Sequence, residues 1–388
     1  MTESAIVYTD LEDSVAAAKD LSEKLAAALP GGPPHALIVF ASPRYDHAAL
    51  LETLAASCRP AVLVGASSAG EFTSSARGEG LACALALRSE TLKFAGAIGY
   101  HLISDRAAAA RAMVRSFTGL TDAERPFRAA LVMTDALAGH ADELVDELTL
   151  ATAGSYQFFG GGAGDNGEFR RTPVFFGTDA VIDAAVALEI VSTKPIGIGV
   201  GHGWKPASPP MRVTEARGSR LVSLNGVPAV QAFVKHALAT TQTFEPSSPM
   251  PFFLHNILGI DTGGGYRLRV PLAITPDGSI ACAADIPTGV LVHIMRATES
   301  SAIEAAARAV AGARAGLQGH RAEVALFFDC VATRLRLGVG FGAELQTLTD
   351  TLGGTSFVGC NTHGQIARAE GQFGGFHNCT AVVCILPD

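Results

Sequence analysis

"VGASSAGE", residues 64–71, closes an apolar run with two hydroxyl side chains, a glycine and a carboxylate. Two other octets, "FFGGGAGD" (158–165) and "VGCNTHGQ" (358–365), align with it without a gap. Each ends in a small residue, a variable one, glycine, then an acid or amide. Each also falls at the same point of a longer pattern. Around the first, "ALIVFAS" suits a buried strand, and "YDHAALLETLAASC" has helical spacing at Leu50, Leu51 and Leu54 behind Asp46 as N-cap. "PAVLVGASSAGEF" is a second strand running into the octet loop, and "GLACALAL" a third strand. Residues 129–191 repeat the order with "AALVMTDAL", the helix "HADELVDELTLATAG" stopped at Gly154, "YQFFGGGAGD" and "AAVALEIV". Residues 324–386 repeat it again with "VALFFDC", "GAELQTLTDTLGG", "SFVGCNTHGQ" and "HNCTAVVCIL". The fold class is therefore α/β, with mixed sheets made from repeated β-α-β-loop-β units and helices layered on the outer faces. A crossover helix makes the first two strands of each unit parallel, and the third is free to return antiparallel.

Different material separates the second and third units. From "GIGVGHGW" the chain passes through a Pro-rich turn into the strand-like "MRVTEA" and "SRLVSL", then a helix with Pro228 in its first turn. "YRLRVPLAITPDGSIACAADIPTGVLVHIMRA" alternates like strands around a "PDG" turn, and "ESSAIEAAARAVAGARAGL" is an Ala-rich amphipathic helix. Two domains are expected: a helical lead-in over 1–33, an N-terminal domain over 34–225 and a C-terminal domain over 226–388, joined at the turn by Asn225.

The composition narrows the function. Of 388 residues, 48% are hydrophobic and 17% charged, which suits a chain with a large core. The net charge of −8 and the lack of a basic stripe argue against nucleic acid as a partner. No apolar run is long enough for a membrane span, and the acidic first residues do not read as a signal peptide, so a cytoplasmic location is expected. The seven cysteines are odd in number and irregular in spacing, and no CxxC or HExxH is present, so neither a disulfide framework nor a local zinc site is expected. "GGGAG" lacks the GxGxxG and GK[ST] contexts of nucleotide loops. A homodimer stays open.

The octets fall at the C-terminal ends of strands, the sheet edge where α/β proteins bind ligands. Glycines admit close backbone approach, hydroxyls add donors and acceptors, and a terminal acid can hold an amine. Three such loops facing one hollow would surround a small polar ligand. The bland alternative for any one loop is a tight turn with a solvated acid. The third loop is the richest, because Asp329 and Cys330, Thr362 and His363, and His377, Asn378 and Cys379 end or begin neighbouring strands. Three readings stay open there: buried filler with His377 capping a strand, a polar ligand pocket, or a haem or metal site using imidazole or thiolate. "GHGW" (201–204) reads as a hydrophobic plug before it reads as a ligand-stacking surface.

Several of these stretches, in order, resemble one family. "LVGASSAGEF", "FFGGGAGDNGEF", "GHGWKP", "VTEARGSRLVSLNGVPA", "FFDCVATR" and "GFHNCT" are similar to motifs of the FIST sensory domain (F-box and intracellular signal transduction). The likeness runs from about Ala36 to the C-terminus and spans both the N-terminal and C-terminal FIST parts. It implies a sensory module that binds a small molecule, amino acids among the proposed inputs, and signals to a separate protein such as a histidine kinase without catalysis of its own. Carried over residue by residue, it marks Gly65, Ser67, Gly70 and Glu71, with Ser68 standing where the family has threonine; Gly161, Gly164, Asp165 and Asn166; and Asp329, Cys330, Gly364, His377 and Asn378. Thr362 and His363 join the expected ligand site from the loop itself. Two departures stand out: Ala66 replaces a cysteine, and Gln365 replaces an acid, which removes a charge from the expected pocket. Some family members are haem proteins that sense nitric oxide. The alternative expectation is therefore a haem b site with His377 as axial ligand and Cys330 or His363 behind it. A third is a thiol enzyme using Cys330 and His377.

Overall fold

The computed structural model describes residues 1–368 and 375–388. The first unit runs β1 (Thr2–Thr9), α1 (Ser14–Ala28), β2 (Ala36–Ala41), α2 (His47–Cys58), β3 (Val62–Ser67), the short hairpin β4 (Glu71–Thr73) and β5 (Arg77–Gly78), and β6 (Ala82–Ser89). The second repeats it as β7 (Leu92–Tyr100), α3 (Arg106–Arg115), β8 (Phe127–Thr134), α4 (Ala141–Ala151), β9 (Gln157–Gly162), the hairpin β10 (Val174–Phe176) and β11 (Asp179–Val181), and β12 (Ala184–Ser192). The third begins with β13 (Gly197–Gly201). It is then interrupted by residues 205–296, which hold strands β14 to β22 with α5 (Ala229–Ala239) and α6 (Met250–Phe253). It resumes as α7 (Glu299–Gly316), β23 (Ala322–Cys330), α8 (Val331–Leu337), α9 (Phe341–Leu352), β24 (Ser356–Thr362), the hairpin β25 (Gln365–Arg368) and β26 (Gly375–His377), and β27 (Ala381–Pro387). Each unit thus has one more leading strand and helix than the sequence pattern suggested. Residues 1–33, read as a helical lead-in, also hold a strand, because the alternating "TESAIVYT" pairs along its whole length with β6.

The three six-stranded sheets share one strand order. In each, the parallel pair expected from the crossover helix is present (β2 with β3, β8 with β9, β23 with β24), and the unit's last strand lies antiparallel to the first of that pair. The hairpins, however, leave home. β4–β5 extends the third sheet, β10–β11 the first, and β25–β26 the second. Every unit gives one hairpin and receives one.

Strand periodicity divides the side chains between two cores. In β2, Ile38 and Phe40 point inward to a central core shared by all three sheets, with Leu131, Met133, Phe328 and Val358. Leu37 and Val39 point outward to α1 and α2. The second sheet is covered by α3 and α4 in the same way, the third by α7 and α9. The inserted segment packs its nine strands around a core of its own, including Phe233, Phe253 and Ile280. The turn at Asn225 lies inside that sheet, since strands before it pair with strands after it. Arg269, 1% exposed, fastens the insert to the body: it bonds Asp142 of α4 at 2.6 Å and donates to the Phe376 carbonyl at 3.3 Å. Among the described residues, no helix is long and apolar enough to cross a membrane.

Candidate functional site

The octets do converge, but on one another. The Ala69 N–H donates to the Asn361 carbonyl at 2.9 Å and the Asn361 N–H to the Gly70 carbonyl at 2.8 Å. Gly164 N–H donates to the Ser67 carbonyl at 2.9 Å, and Gly162 and His363 exchange backbone bonds with Gly364 and Gly162 at 2.9 and 3.0 Å. The expected hollow between the loops is therefore filled by the loops. Their glycines serve that closeness: a Cβ on Gly164 would sit 2.8 Å from the Ala69 nitrogen, and one on Gly161 2.6 Å from the Gly364 carbonyl oxygen. Gly65 lies inside β3 against the Val39 carbonyl, and Gly70 faces the Asn361 side chain. Among the described residues, Ser67 Oγ and both polar atoms of the Asn361 side chain are buried without a hydrogen-bond partner, an arrangement the sequence reading missed at Asn361.

The eighth residue of each octet closes its own unit. Glu71 is fully buried; its carboxylate accepts the Ser68 hydroxyl and, at 2.9 Å, the Leu81 N–H just before β6. Gln365 repeats this with its amide: it donates to Thr362 Oγ1 at 2.9 Å and accepts from the Thr380 N–H at 3.3 Å, just before β27. Asp165 accepts the N–H groups of Phe169, Arg170 and Arg171 at 3.0, 2.6 and 3.0 Å. Burial pushes the Glu71 carboxyl up to about 7, against its hydrogen bonds and Arg334. Burial also acts to raise Asp165, but its backbone donors outweigh it and hold the carboxyl below the ordinary range. The acid-or-amide rule thus reflects buried backbone N–H groups that need an acceptor.

Open space lies beside the loops, between the body and the insert: a cavity of about 740 Å³. Of the sequence-marked residues, Cys330, His363, Gly364 and Asn378 line it. Its apolar walls include Leu137, Phe169, Met250, Leu254, Leu272 and Leu335, and among the described residues no Asp, Glu, Lys or Arg lines it. These walls come from the turn after β8, the segment after the second octet, the insert and α8, where an isolated Leu or Phe carries no spacing signal. The His363 ring stacks on Phe169 with centroids 4.6 Å apart, and its Nε2 stands 3.6 Å from Asp165 Oδ1. Among the described residues neither ring nitrogen has a hydrogen-bond partner, and burial drives the imidazole down to about 4 although Asp165 pulls the other way. His363 is therefore neutral at neutral pH, with one donor and one acceptor unspent. Asn378 is half-committed, accepting from the Val270 N–H at 3.4 Å and donating to the His377 carbonyl at 3.3 Å.

Cys330 forms the cavity wall at the end of β23. The Cys379 thiol, the largest influence, together with the Cys379 and Ala332 N–H groups and the Gln365 side chain, favours its thiolate against burial, and the thiol falls to about 6. Beside it Asp329 is buried, with Oδ2 unpartnered, and burial with Glu344 and Cys330 nearby holds its carboxyl well above the ordinary range. Thr362 donates to the Asp329 carbonyl at 3.3 Å. Asn166 adopts φ of +59°, and its Oδ1 has no partner among the described residues.

His377 is not brought to this cavity. It sits in β26, wholly buried, with Nε2 3.4 Å from the Ala367 carbonyl, and burial pushes the imidazole down to about 4. An axial ligand needs open space before its nitrogen, so His377 does not fit that role, nor does it share the cavity wall with Cys330. Trp204 is buried beneath the Arg336 guanidinium, 5.1 Å from the ring centroid, and is a plug rather than a stacking surface.

The chain matches the family model for the FIST N domain over residues 35–227 and that for the FIST C domain over 231–368. No curated protein matches it. Among solved structures, it is similar to cyanuric acid hydrolase from A. caulinodans, at 10% identity and a TM-score of 0.39, covering 100% of this chain and 99% of that one. A second cyanuric acid hydrolase structure matches at 11% identity and a TM-score of 0.34, with full coverage of both chains (100% and 100%). PurLQS from Thermotoga maritima matches at 12% and 0.24, covering 100% of this chain and 72% of that one.

Proposed function

The chain belongs to the FIST family of sensory domains in signal transduction, and from that premise we propose that it binds a small, uncharged, largely apolar molecule in the cavity beside the third octet. The observation that carries this is His363: a buried, neutral imidazole with both nitrogens unpartnered among the described residues, set in apolar walls. Buried polar groups find partners, and a ligand with one donor and one acceptor would supply them. An amino acid suits the cavity less well, because among the described residues no Lys or Arg lines it to meet the carboxylate. Occupancy would be reported to a separate signalling protein, a histidine kinase being one such partner, with no turnover by this chain and no haem at His377. Because the cavity lies between insert and body, a ligand that touches both alters how they pack, which is a signal another protein can read.

Two measurements test this. Native mass spectrometry of the purified protein is expected to show a co-purified small molecule. N-phenyl-1-naphthylamine, a neutral apolar probe with one N–H, is expected to bind with enhanced fluorescence. Leu272→Trp should abolish its binding by filling the cavity. His363→Ala should weaken it roughly tenfold, the value of one hydrogen bond of about 1 kcal/mol or a little more. Probe binding unchanged in both variants would overturn the site.

A further inference from the structure

Cys330 ends β23 of the third sheet, and Cys379 lies in the turn that leads into its antiparallel neighbour β27. β23 pairs antiparallel with β27 as far as Phe328 opposite Val382, and Cys379 stands two residues before β27 begins, at a non-glycine φ of +49°. Each thiol is the largest influence on the other's protonation, and the Cys379 N–H also favours the Cys330 thiolate. Ala332 N–H and the Gln365 side chain complete the donor set. Four donors on one sulfur is the environment of a thiolate. The remaining cysteines lack it: burial raises Cys83, Cys360 and Cys384 far above the ordinary range, Cys282 to about 12, and Cys58 as well. Cys379 itself is driven well up by its partner, so it holds the proton that Cys330 gives away. A poised thiolate touching a protonated thiol is the arrangement of a reactive cysteine and its resolving partner. Here the reactive member lines a cavity and the resolving member lies behind it among Trp204, Ala332 and Met295.

We propose that Cys330 and Cys379 are a peroxide-responsive dithiol, with organic hydroperoxides as the oxidant class. The Cys330 thiolate attacks the terminal oxygen of the hydroperoxide. The O–O bond breaks, the departing alkoxide takes up a proton and leaves as an alcohol, and Cys330 becomes a sulfenic acid. Cys379 then loses its proton and attacks the sulfenic sulfur. The S–S bond forms, and the hydroxyl leaves with that proton as water. Two thiols are oxidised by two electrons, and one hydroperoxide is reduced to alcohol and water. The apolar cavity selects among oxidants, favouring an alkyl or aryl hydroperoxide over hydrogen peroxide. The disulfide removes the thiolate that organises Ala332 N–H, Cys379 N–H and Gln365, and so resets the wall that also carries Asn378. This inference does not rest on the His363 ligand reading.

The test uses the full chain, reduced and freed of reductant. One equivalent of cumene hydroperoxide is expected to lower the intact mass by two hydrogens and to produce a cross-linked peptide joining Cys330 to Cys379, faster than hydrogen peroxide does. In Cys379→Ser the reaction should stop at a sulfenic acid on Cys330 that dimedone traps. In Cys330→Ser both products should be lost, with a thermal-unfolding midpoint confirming that the variant is folded. The proposal is overturned if Cys58 oxidises first, if Cys330→Ser still forms the product, or if Cys379→Ser gives no dimedone adduct at Cys330.

Discussion

Glu71 shows at the scale of one residue why a marked side chain need not face a ligand. Both its oxygens serve groups of its own unit, and its opposite number Gln365 does the same without charge. The charge is a liability that pH exposes. The folded carboxyl titrates at about 7, above an ordinary value of 4.5. The folded state thus holds the proton more tightly, and stability falls as pH rises from the lower value through the higher. Above both, the penalty is up to about 3 kcal/mol. Glu71→Gln, which copies the third octet, should accordingly match or trail the parent at pH 5 and exceed it at pH 8. Urea denaturation at the two pH values checks this, and an equal difference at both would refute it. The sequence showed that an acid recurs here; it could not show what the acid bonds. A carboxylate accepting a Leu81 N–H and one awaiting an amine are the same letter, and only the return of the chain before β6 distinguishes them. His363 went the other way: its place before the octet's glycine was legible, while the Phe169 ring that fixes it comes from a loop in another unit.

At the scale of elements, what alternates locally was readable and what meets across the chain was not. α2, α4, α7 and α9 fall where apolar spacing put them, and Asp46 caps α2 by accepting from Ala49 N–H at 3.2 Å. "GIGVGHG" was legible as a Gly-rich strand and the Ala-rich segment as a helix, but their mutual fit was not. Gly197, Gly199, Gly201 and Gly203 meet the carbonyls of Ala313, Ala309, Ala305 and Ser301 in turn, so every second strand residue matches every fourth helix residue. The two repeats agree because two strand residues advance about 6.6 Å and four helix residues about 6 Å. A Cβ on Gly199 would lie 1.8 Å from the Ala309 carbonyl oxygen. Gly199→Ala must therefore push α7 off the third sheet and should cost at or above ~3 kcal/mol, the upper end of overpacking. A thermal melt measures it. Val200→Ala, which leaves the interlocking face alone, serves as the control and should cost less. The hairpins lay beyond sequence reading for the same reason: β4, β10 and β25 are short, and each finds its partner in another unit.

The whole molecule is bound by that exchange. The first sheet needs β10–β11 of the second unit, the second needs β25–β26 of the third, and the third needs β4–β5 of the first. No two units can complete their sheets without the remaining one. The family models meet between residues 227 and 231, inside the insert, whereas β13 of the third sheet lies before that join. Division along the chain and division in space therefore differ. A fragment of residues 1–192 makes the point testable. It contains two whole units, yet it would leave the edge of β9 bare where β25 belongs, the β4–β5 hairpin without a sheet, and one side of the central core open to water. Unpaired edges and exposed apolar faces favour aggregation over folding. Expressed alone, residues 1–192 should give no cooperative thermal transition by circular dichroism and should elute as aggregate on size exclusion. Co-expressed with residues 193–388, the fragment should be recovered as a one-to-one complex that melts cooperatively. If residues 1–192 form a stable monomer with a sharp melt, the hairpin exchange contributes little to stability, and each unit must be able to close its core alone.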